Sequence, residues 1–452
     1  MKTTRQFSRR NFLKAASTLT AAAPFILPSR IWGADTPPSA RLTMGFIGIG
    51  IQGRGLMDNF LRLDTRVLAV CDVDTTRREA AKEKVDKYYK NSECSAYNDF
   101  RELIARKDID AVCIATPDHW HAITTLAALR SGKDVYCEKP LTHNIHEAVA
   151  VMKAVQSHKR VLQTGSMQRS MSEFRVACEL VRNGVIGKIQ TVECSFGDPG
   201  RPCDLKEDTM EPGLDWNFWC GPAPLRGYSA VLSQHGSNYN NFPNWRLYKE
   251  YGSGAVGDWG AHHLDIAQWG LGMDDSGPVE VIPPADPDAK RGAKLVYVNG
   301  ITVEQKEGFG VHFFGTNGEV LVNRGKFVVI VGGETVASFH DEKDKKDKYP
   351  DEADTNCQAE VKKAQKRFLA DAKIKLYVSK QHATDFLECV KSRKKPITSE
   401  QVGARSAICC HLINQSYYHH AHLKWNPTKF KFVDGTGDPK WLTRDYRTPW
   451  TV

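Results

Sequence analysis

Leu42-Thr43-Met44-Gly45-Phe46-Ile47-Gly48-Ile49-Gly50-Ile51-Gln52-Gly53 runs from an apolar segment straight into a glycine turn. Leu42 to Ile47 reads as a buried strand, and a helical pattern follows from Arg54 to Leu63. A G-x-G-x-x-G motif carries little weight alone, but between a strand and a helix it marks a dinucleotide site. Gly48 and Gly50 let the backbone turn tightly and approach a pyrophosphate, which the helix N-terminus stabilises, and Gly53 completes the motif. The next strand, Arg66 to Cys71, ends at Asp72, 24 residues after Gly48. A carboxylate there accepts the ribose hydroxyls of NAD and repels the extra phosphate of NADP. Arg77 and Arg78 follow closely and leave NADP open.

Strand and helix patterns keep alternating. Ala111 to Ala115 is wholly apolar, as expected of a parallel strand covered on both faces. It ends in Thr116-Pro117-Asp118-His119-Trp120-His121, at the carboxyl edge where ligands bind in such sheets. The strand Asp134 to Cys137 delivers Glu138-Lys139-Pro140 to the same edge, and the proline biases Lys139 away from helical geometry. Taken singly, Lys139 equally suits a solvated loop. Beyond residue 166 the texture shifts to longer strands and aromatic loops. Trp216 to Trp245 is rich in Trp, Asn and Tyr, which suits either a carbohydrate site or a tryptophan-rich loop core. In Asp258-Trp259-Gly260-Ala261-His262-His263, a helix starting near Asp258 would set Asp258 and His262 one turn apart on one face. That arrangement suits a general base oriented by a carboxylate, with His263 about 100° away around the axis. A capping Asp258 beside a satisfied His262 fits the periodicity as well.

The 452 residues call for two or three domains, and 41% hydrophobic residues exclude wholesale disorder. No apolar run is long enough for a stable membrane span. Of the 62 Lys and Arg, six lie in residues 1–34, where no acidic residue occurs before Asp35. A basic start, an apolar run from Ala15 to Leu27 and small residues at Gly33 and Ala34 form the layout of an export signal. Ser8-Arg9-Arg10-Asn11-Phe12-Leu13-Lys14 matches the twin-arginine signal, so the twin-arginine translocase is the expected export partner and the periplasm the expected location. Residues 35–452 then carry 56 basic against 53 acidic residues, which removes any nucleic-acid signature. The twelve cysteines include no C-x-x-C pair and read as buried reduced thiols.

The glycine motif, Thr116-Pro117-x-x-x-His121, Glu138-Lys139-Pro140 and Asp258-x-Gly260-x-His262-x-x-Asp265 occur together in order. As a set, with Trp219-Cys220-Gly221-Pro222 and His382-x-x-x-Phe386-x-x-Cys389, they resemble the Gfo/Idh/MocA oxidoreductases. The resemblance implies an N-terminal Rossmann dinucleotide-binding domain (42–166) after a linker (35–41). An α+β domain with a large open, mostly antiparallel sheet (167–452) would follow. It implies that Lys139 hydrogen-bonds the reacting hydroxyl, that His262 is the acid/base, and that Asp258 orients His262 or binds a neighbouring hydroxyl. Thr116, Pro117, His121 and Glu138 would line the cofactor pocket with Gly48, Gly50, Gly53 and Asp72, while Trp219, Trp245, Arg246 and His263 would meet the substrate. Hydride exchange between a sugar or polyol hydroxyl and a tightly bound NAD is the expected chemistry, with no metal. A redox-neutral NAD-dependent glycoside hydrolase or lyase is the alternative, although the family 109 glycosidases carry Tyr-Pro-Thr-His-Gly in place of Asp-x-Gly-x-His. A non-catalytic sugar-binding protein is a third reading. Members of this family pair, so a homodimer or homotetramer is expected. Residues 340–375 read as a charged insertion or exposed helix with little apolar periodicity. The tail ending Arg447-Thr448-Pro449-Trp450 is expected against the second domain or a neighbouring subunit.

Overall fold

Met44, Phe46 and Ile47 bury β1 (Leu42–Ile47) in the computed structural model, which describes residues 41–63, 65–236, 241–340 and 356–452. The expected export signal and linker lie outside the described residues. After the glycine turn, α1 (Ile51–Arg62) buries Leu56, Met57, Phe60 and Leu61, the i, i+4 rows of an amphipathic helix. The alternation continues through β2 (Thr65–Cys71), α2 (Thr75–Tyr89), β3 (Ser95–Tyr97), α3 (Phe100–Ala105) and β4 (Ala111–Ile114). It ends with α4 (Asp118–Arg130), β5 (Asp134–Cys137), α5 (Ile145–His158) and β6 (Leu162–Thr164). Asp74, Asp99 and Asn144 cap α2, α3 and α5 by accepting from backbone N–H groups. Gly50 caps α1 with no side chain, so the first amides of that helix face outward. The six strands are parallel in the order β3-β2-β1-β4-β5-β6, and the order reverses between β1 and β4.

The rest of the chain builds a ten-stranded sheet and its cover. In chain order come α6 (Ser172–Arg182), β7 (Ile189–Ser195), α7 (Trp216–Cys220), α8 (Gly254–Asp258) and α9 (Gly260–Leu271). Seven strands follow: β8 (Glu280–Ile282), β9 (Lys294–Val296), β10 (Thr302–Lys306), β11 (Val311–Gly315), β12 (Gly318–Asn323), β13 (Lys326–Val331) and β14 (Glu334–Phe339). Then come α10 (Asn356–Phe368), α11 (His382–Ser392), α12 (Glu400–His419), β15 (Leu423–Asn426) and β16 (Lys431–Phe432). The sheet order is β14-β13-β12-β11-β7-β10-β9-β8-β15-β16, with only β7 and β10 parallel. In β7, Val192 and Cys194 point into the core while Thr191 and Glu193 stand half-buried on the opposite face. The expected parallel α/β sheet followed by a large, mostly antiparallel one is therefore what the chain forms.

Three features differ from the sequence reading. Residues 356–368 are no exposed insertion: Cys357, Val361 and Ala364 are buried, an i, i+4, i+7 stripe laid on β14 and α6. Dense lysines hid that stripe; residues 341–355 of the same expected insertion lie outside the described residues. Second, α11 packs on the first sheet rather than the second, with Phe386 edge-on to Phe60 and Tyr136 at 6.2 and 5.8 Å. Third, the tail lies against the second domain as expected, where Arg447 donates to the Gly221 carbonyl at 2.8 Å, but it also reaches the first sheet's helices. Trp450 stacks on Phe218 at 5.4 Å and meets Trp120 at 4.7 Å, while Tyr446 donates to Glu147 at 2.9 Å. All twelve cysteines are free, and eleven are buried. Among the described residues no helix is long and apolar enough to cross a membrane.

Candidate functional site

A cavity of about 540 Å³ opens at the carboxyl edge of the parallel sheet, and the glycine turn forms one end of it. Gly48 has φ +86°, and a Cβ there would stand 2.6 Å from the Thr116 amide nitrogen, so β1 and β4 approach at this point only because the side chain is absent. Gly50 lines the cavity; Gly53 does not, but its Cβ would fall 2.0 Å from the Gly48 carbonyl oxygen. It is therefore a packing glycine, seating α1 against the turn. Asp72 lines the cavity and also anchors the turn, its Oδ2 accepting from the Ile49 N–H at 2.6 Å and its Oδ1 from the Asp74 N–H at 2.9 Å. Arg77 reaches Ser233 at 3.2 Å and the carbonyls of Gln234 and Gly236. Arg78 takes the Asp72 carbonyl and Asn98. Both arginines are thus engaged in bracing loops around the ribose end.

These residues fit a dinucleotide. The uncapped α1 amides and the Cβ-free turn suit a pyrophosphate, and the Thr116 Oγ1 is buried in the cavity wall without a hydrogen-bond partner among the described residues. Pro117, His121 and Glu138 line the same wall. His121 is a brace: its Nδ1 faces the Pro140 carbonyl at 2.7 Å and its Nε2 the Thr116 carbonyl at 2.9 Å, tying two turns together. Burial holds its pKa down at about 4, against the pull of those carbonyls. Glu138 accepts from Gln52 Nε2 at 2.9 Å and from the Lys139 N–H at 3.2 Å, so it couples the first turn of α1 to the lysine.

At the other end, Lys139 Nζ ion-pairs with Asp258 Oδ1 and donates to the Asp258 carbonyl at 3.2 Å. Arg246 Nε lies 3.8 Å from the same carboxylate. Burial pushes the Asp258 carboxyl up, but Lys139, Arg246 and Arg324 outweigh it and leave the group below its usual range. The expected Asp258–His262 pair does not form. Asp258 ends one helix and Gly260 begins the next; the carboxylate goes to Lys139 while His262 faces Arg324, whose Nη2 stands 3.1 Å from His262 Nε2. A guanidinium only donates, so Nε2 is the acceptor and His262 is neutral. Burial, Lys139 and Arg324 hold its pKa well below the ordinary histidine value. His263 is a second correction: it lies outside the cavity lining, its Nδ1 turned to the Ser195 carbonyl of β7.

Trp219, Trp245 and Arg246 do line the cavity. Trp219 is also core, stacked on Trp216 at 4.6 Å, so the aromatic loop is packed core as well as cavity wall. Two residues escaped the sequence reading. Arg324 sits in the β12–β13 turn, far along the chain from every motif. Asp118 is buried in the cavity wall, inside the Thr-Pro motif that pointed to its neighbours. Burial raises its carboxyl to about 8, with Arg246 and Lys139 opposing. Its unfolded value is about 3.9, so between those pH values the folded state holds a proton that the unfolded chain releases. Stability therefore falls as pH rises through that window. Urea midpoints of the wild type should drop relative to Asp118→Asn as pH increases from about 5 to about 8, and parallel curves would remove the protonated carboxyl.

Residues 42–166 match a family model described as "Oxidoreductase family, NAD-binding Rossmann fold", and 183–373 match its companion, "Oxidoreductase family, C-terminal alpha/beta domain". A "Glycosyl hydrolase family 109 protein" of Parabacteroides distasonis is 27% identical over 285 residues, covering 57% of this chain and 58% of that protein. An "Inositol 2-dehydrogenase" of Salmonella typhimurium is 35% identical over 153 residues, covering 32% of this chain and 43% of its own length. The chain thus spans less than two thirds of these relatives. The aldose-aldose oxidoreductase of Caulobacter crescentus has the same fold, with TM-score 0.55 and 18% identity over 85% of this chain and 99% of that one. Levoglucosan dehydrogenase with NADH and levoglucosan gives 0.54 and 19% over the same shares.

Proposed function

This chain belongs to the Gfo/Idh/MocA family of NAD-binding oxidoreductases, and we propose that it oxidises a hydroxyl of a sugar, polyol or glycoside using a tightly held nicotinamide dinucleotide, NAD rather than NADP. The supporting observation is that Lys139, paired with Asp258, shares one cavity with the Cβ-free glycine turn. Gly48, Gly50 and the α1 amides would hold the pyrophosphate, Asp72 the ribose, and Thr116 Oγ1 a polar edge of the cofactor. When bound, the nicotinamide supplies the hydride acceptor. The chain's own residues manage the hydroxyl. Lys139 donates to its oxygen and stabilises the developing alkoxide. His262, unprotonated at Nε2, receives the proton once the substrate hydroxyl displaces the Arg324 contact. Asp258 keeps the Lys139 ammonium aimed.

Denaturing the purified protein should release NAD(H), and adding a sugar should change the nicotinamide absorbance. A protein that neither releases nor binds dinucleotide would sink this reading. The relatives named as family 109 glycosyl hydrolases support a second one, transient oxidation followed by elimination and re-reduction. In that case aglycone appears with no net absorbance change. Export by the twin-arginine pathway, with the periplasm as destination, rests on residues 1–34 alone and is tested by cell fractionation. Pairing into a homodimer or homotetramer through the half-buried outer face of the ten-stranded sheet is tested by light scattering.

A further inference from the structure

We propose that the substrate carries an oxyanion, a carboxylate or a phosphate, and that Arg324 and Arg246 bind it; this rests on the reading of the cavity as a sugar-oxidising site. Beyond the glycine turn, three cations converge on one ionised carboxylate: Lys139, Arg246 and Arg324 all act on Asp258. Two further acids stand beside them, Asp118 and Glu138, and burial works against the charged form of both, raising Asp118 to about 8 and Glu138 above its usual range, so they offset less of that charge than their number suggests. A surplus of positive charge in a half-buried cavity is costly until an anion arrives.

Both guanidiniums are held as if for such a ligand. The Arg246 Cζ lies 4.3 Å from the Trp245 ring centroid and 4.8 Å from that of Phe242, so aromatic rings fix its plane. The Arg324 Cζ lies 5.1 Å from the Trp259 ring centroid. The turn that carries it is pinned where the Gly325 N–H donates to Glu173 at 3.2 Å. Inside the cavity Arg324 donates to a neutral imidazole nitrogen. Exchanging that acceptor for an oxyanion gives a charge-assisted bond and frees His262 Nε2 for the reacting hydroxyl. One anionic group would thus anchor the substrate and prime the base.

The test is calorimetric titration of the full-length, cofactor-loaded protein with matched pairs: glucose against glucuronate, galactose against galacturonate, and glucose 6-phosphate as the phosphate arm. At least one anion should bind about tenfold or more tightly than its neutral partner. Arg324→Gln should erase most of that preference, read as the ratio of anion to neutral-sugar affinity, while Arg324→Lys should keep part of it. Tight uronate with weak phosphate assigns a sugar acid, and the converse a sugar phosphate. Equal affinity within every pair, no binding of any anion, or equal weakening of both partners in Arg324→Gln would overturn the proposal. Failure of the oxidoreductase reading shows separately, as absence of dinucleotide.

Discussion

Lys139→Met should lower turnover about a thousandfold while leaving bound dinucleotide in place, because a positioned proton-handling group contributes roughly two to four orders of magnitude. Methionine preserves the apolar stem and removes only the ammonium that pairs with Asp258. The cofactor contacts lie at the glycine turn and Asp72, and Lys139 touches that end only through its backbone N–H to Glu138, which the substitution keeps. Cofactor content and catalysis should therefore separate. Lys139→Arg should recover little, since a planar fork cannot occupy the place of a compact ammonium against both the Asp258 carboxylate and its carbonyl. Turnover by rapid-mix absorbance, beside dinucleotide released on denaturation, measures both quantities. Activity within about tenfold of wild type would move proton handling away from Lys139.

The parts of the molecule legible in the sequence are those whose cause is local. The turn at Gly48 demands a positive φ, β4 is an unbroken apolar run and β5 follows Asp134 with three buried apolar residues, so the parallel sheet and its ligand edge could be read residue by residue. The Asp258–His262 pair failed for an equally physical reason. Spacing alone names neighbours on one helix face, but Lys139 takes both the Asp258 carboxylate and its carbonyl, the His262 N–H bonds to the Trp259 carbonyl instead, and Arg324 takes the imidazole. Arg324 carried no local signal at all: a single arginine in a hairpin turn gains meaning only when the sheet brings it to His262. The 356–368 stripe was hidden by composition, since long lysines on the outer face outnumber the small buried Cys357 and Ala364.

Arg169→Met should destabilise the protein by about 3–5 kcal/mol, the largest stability loss expected from one substitution outside the apolar core. Arg169 is buried, and its Nε and Nη2 take both oxygens of Asp265 at 2.8 and 2.9 Å. Nη1 and Nη2 also reach Asp274 at 2.9 and 2.7 Å, and Ser406 of α12 donates to Asp265 at 2.7 Å. The last acid of the Asp258–Asp265 motif is thus a fastener among α9, α12 and the segment after β6, and it does not line the cavity. Removing the guanidinium strands the fully desolvated Asp265 carboxylate, whereas an Arg169→Met/Asp265→Leu pair removes both buried charges, leaves only the more exposed Asp274 unpaired from Arg169 and should recover much of the loss. Urea midpoints of the single and double variants measure the coupling; a single variant within about 1 kcal/mol of wild type would contradict it. His262 stands one turn before Asp265 on the same helix, so a slackened α9 should also misplace His262 against Arg324 and Lys139. The double variant should restore stability more fully than turnover, because two apolar side chains can fill the space without dictating where the helix sits.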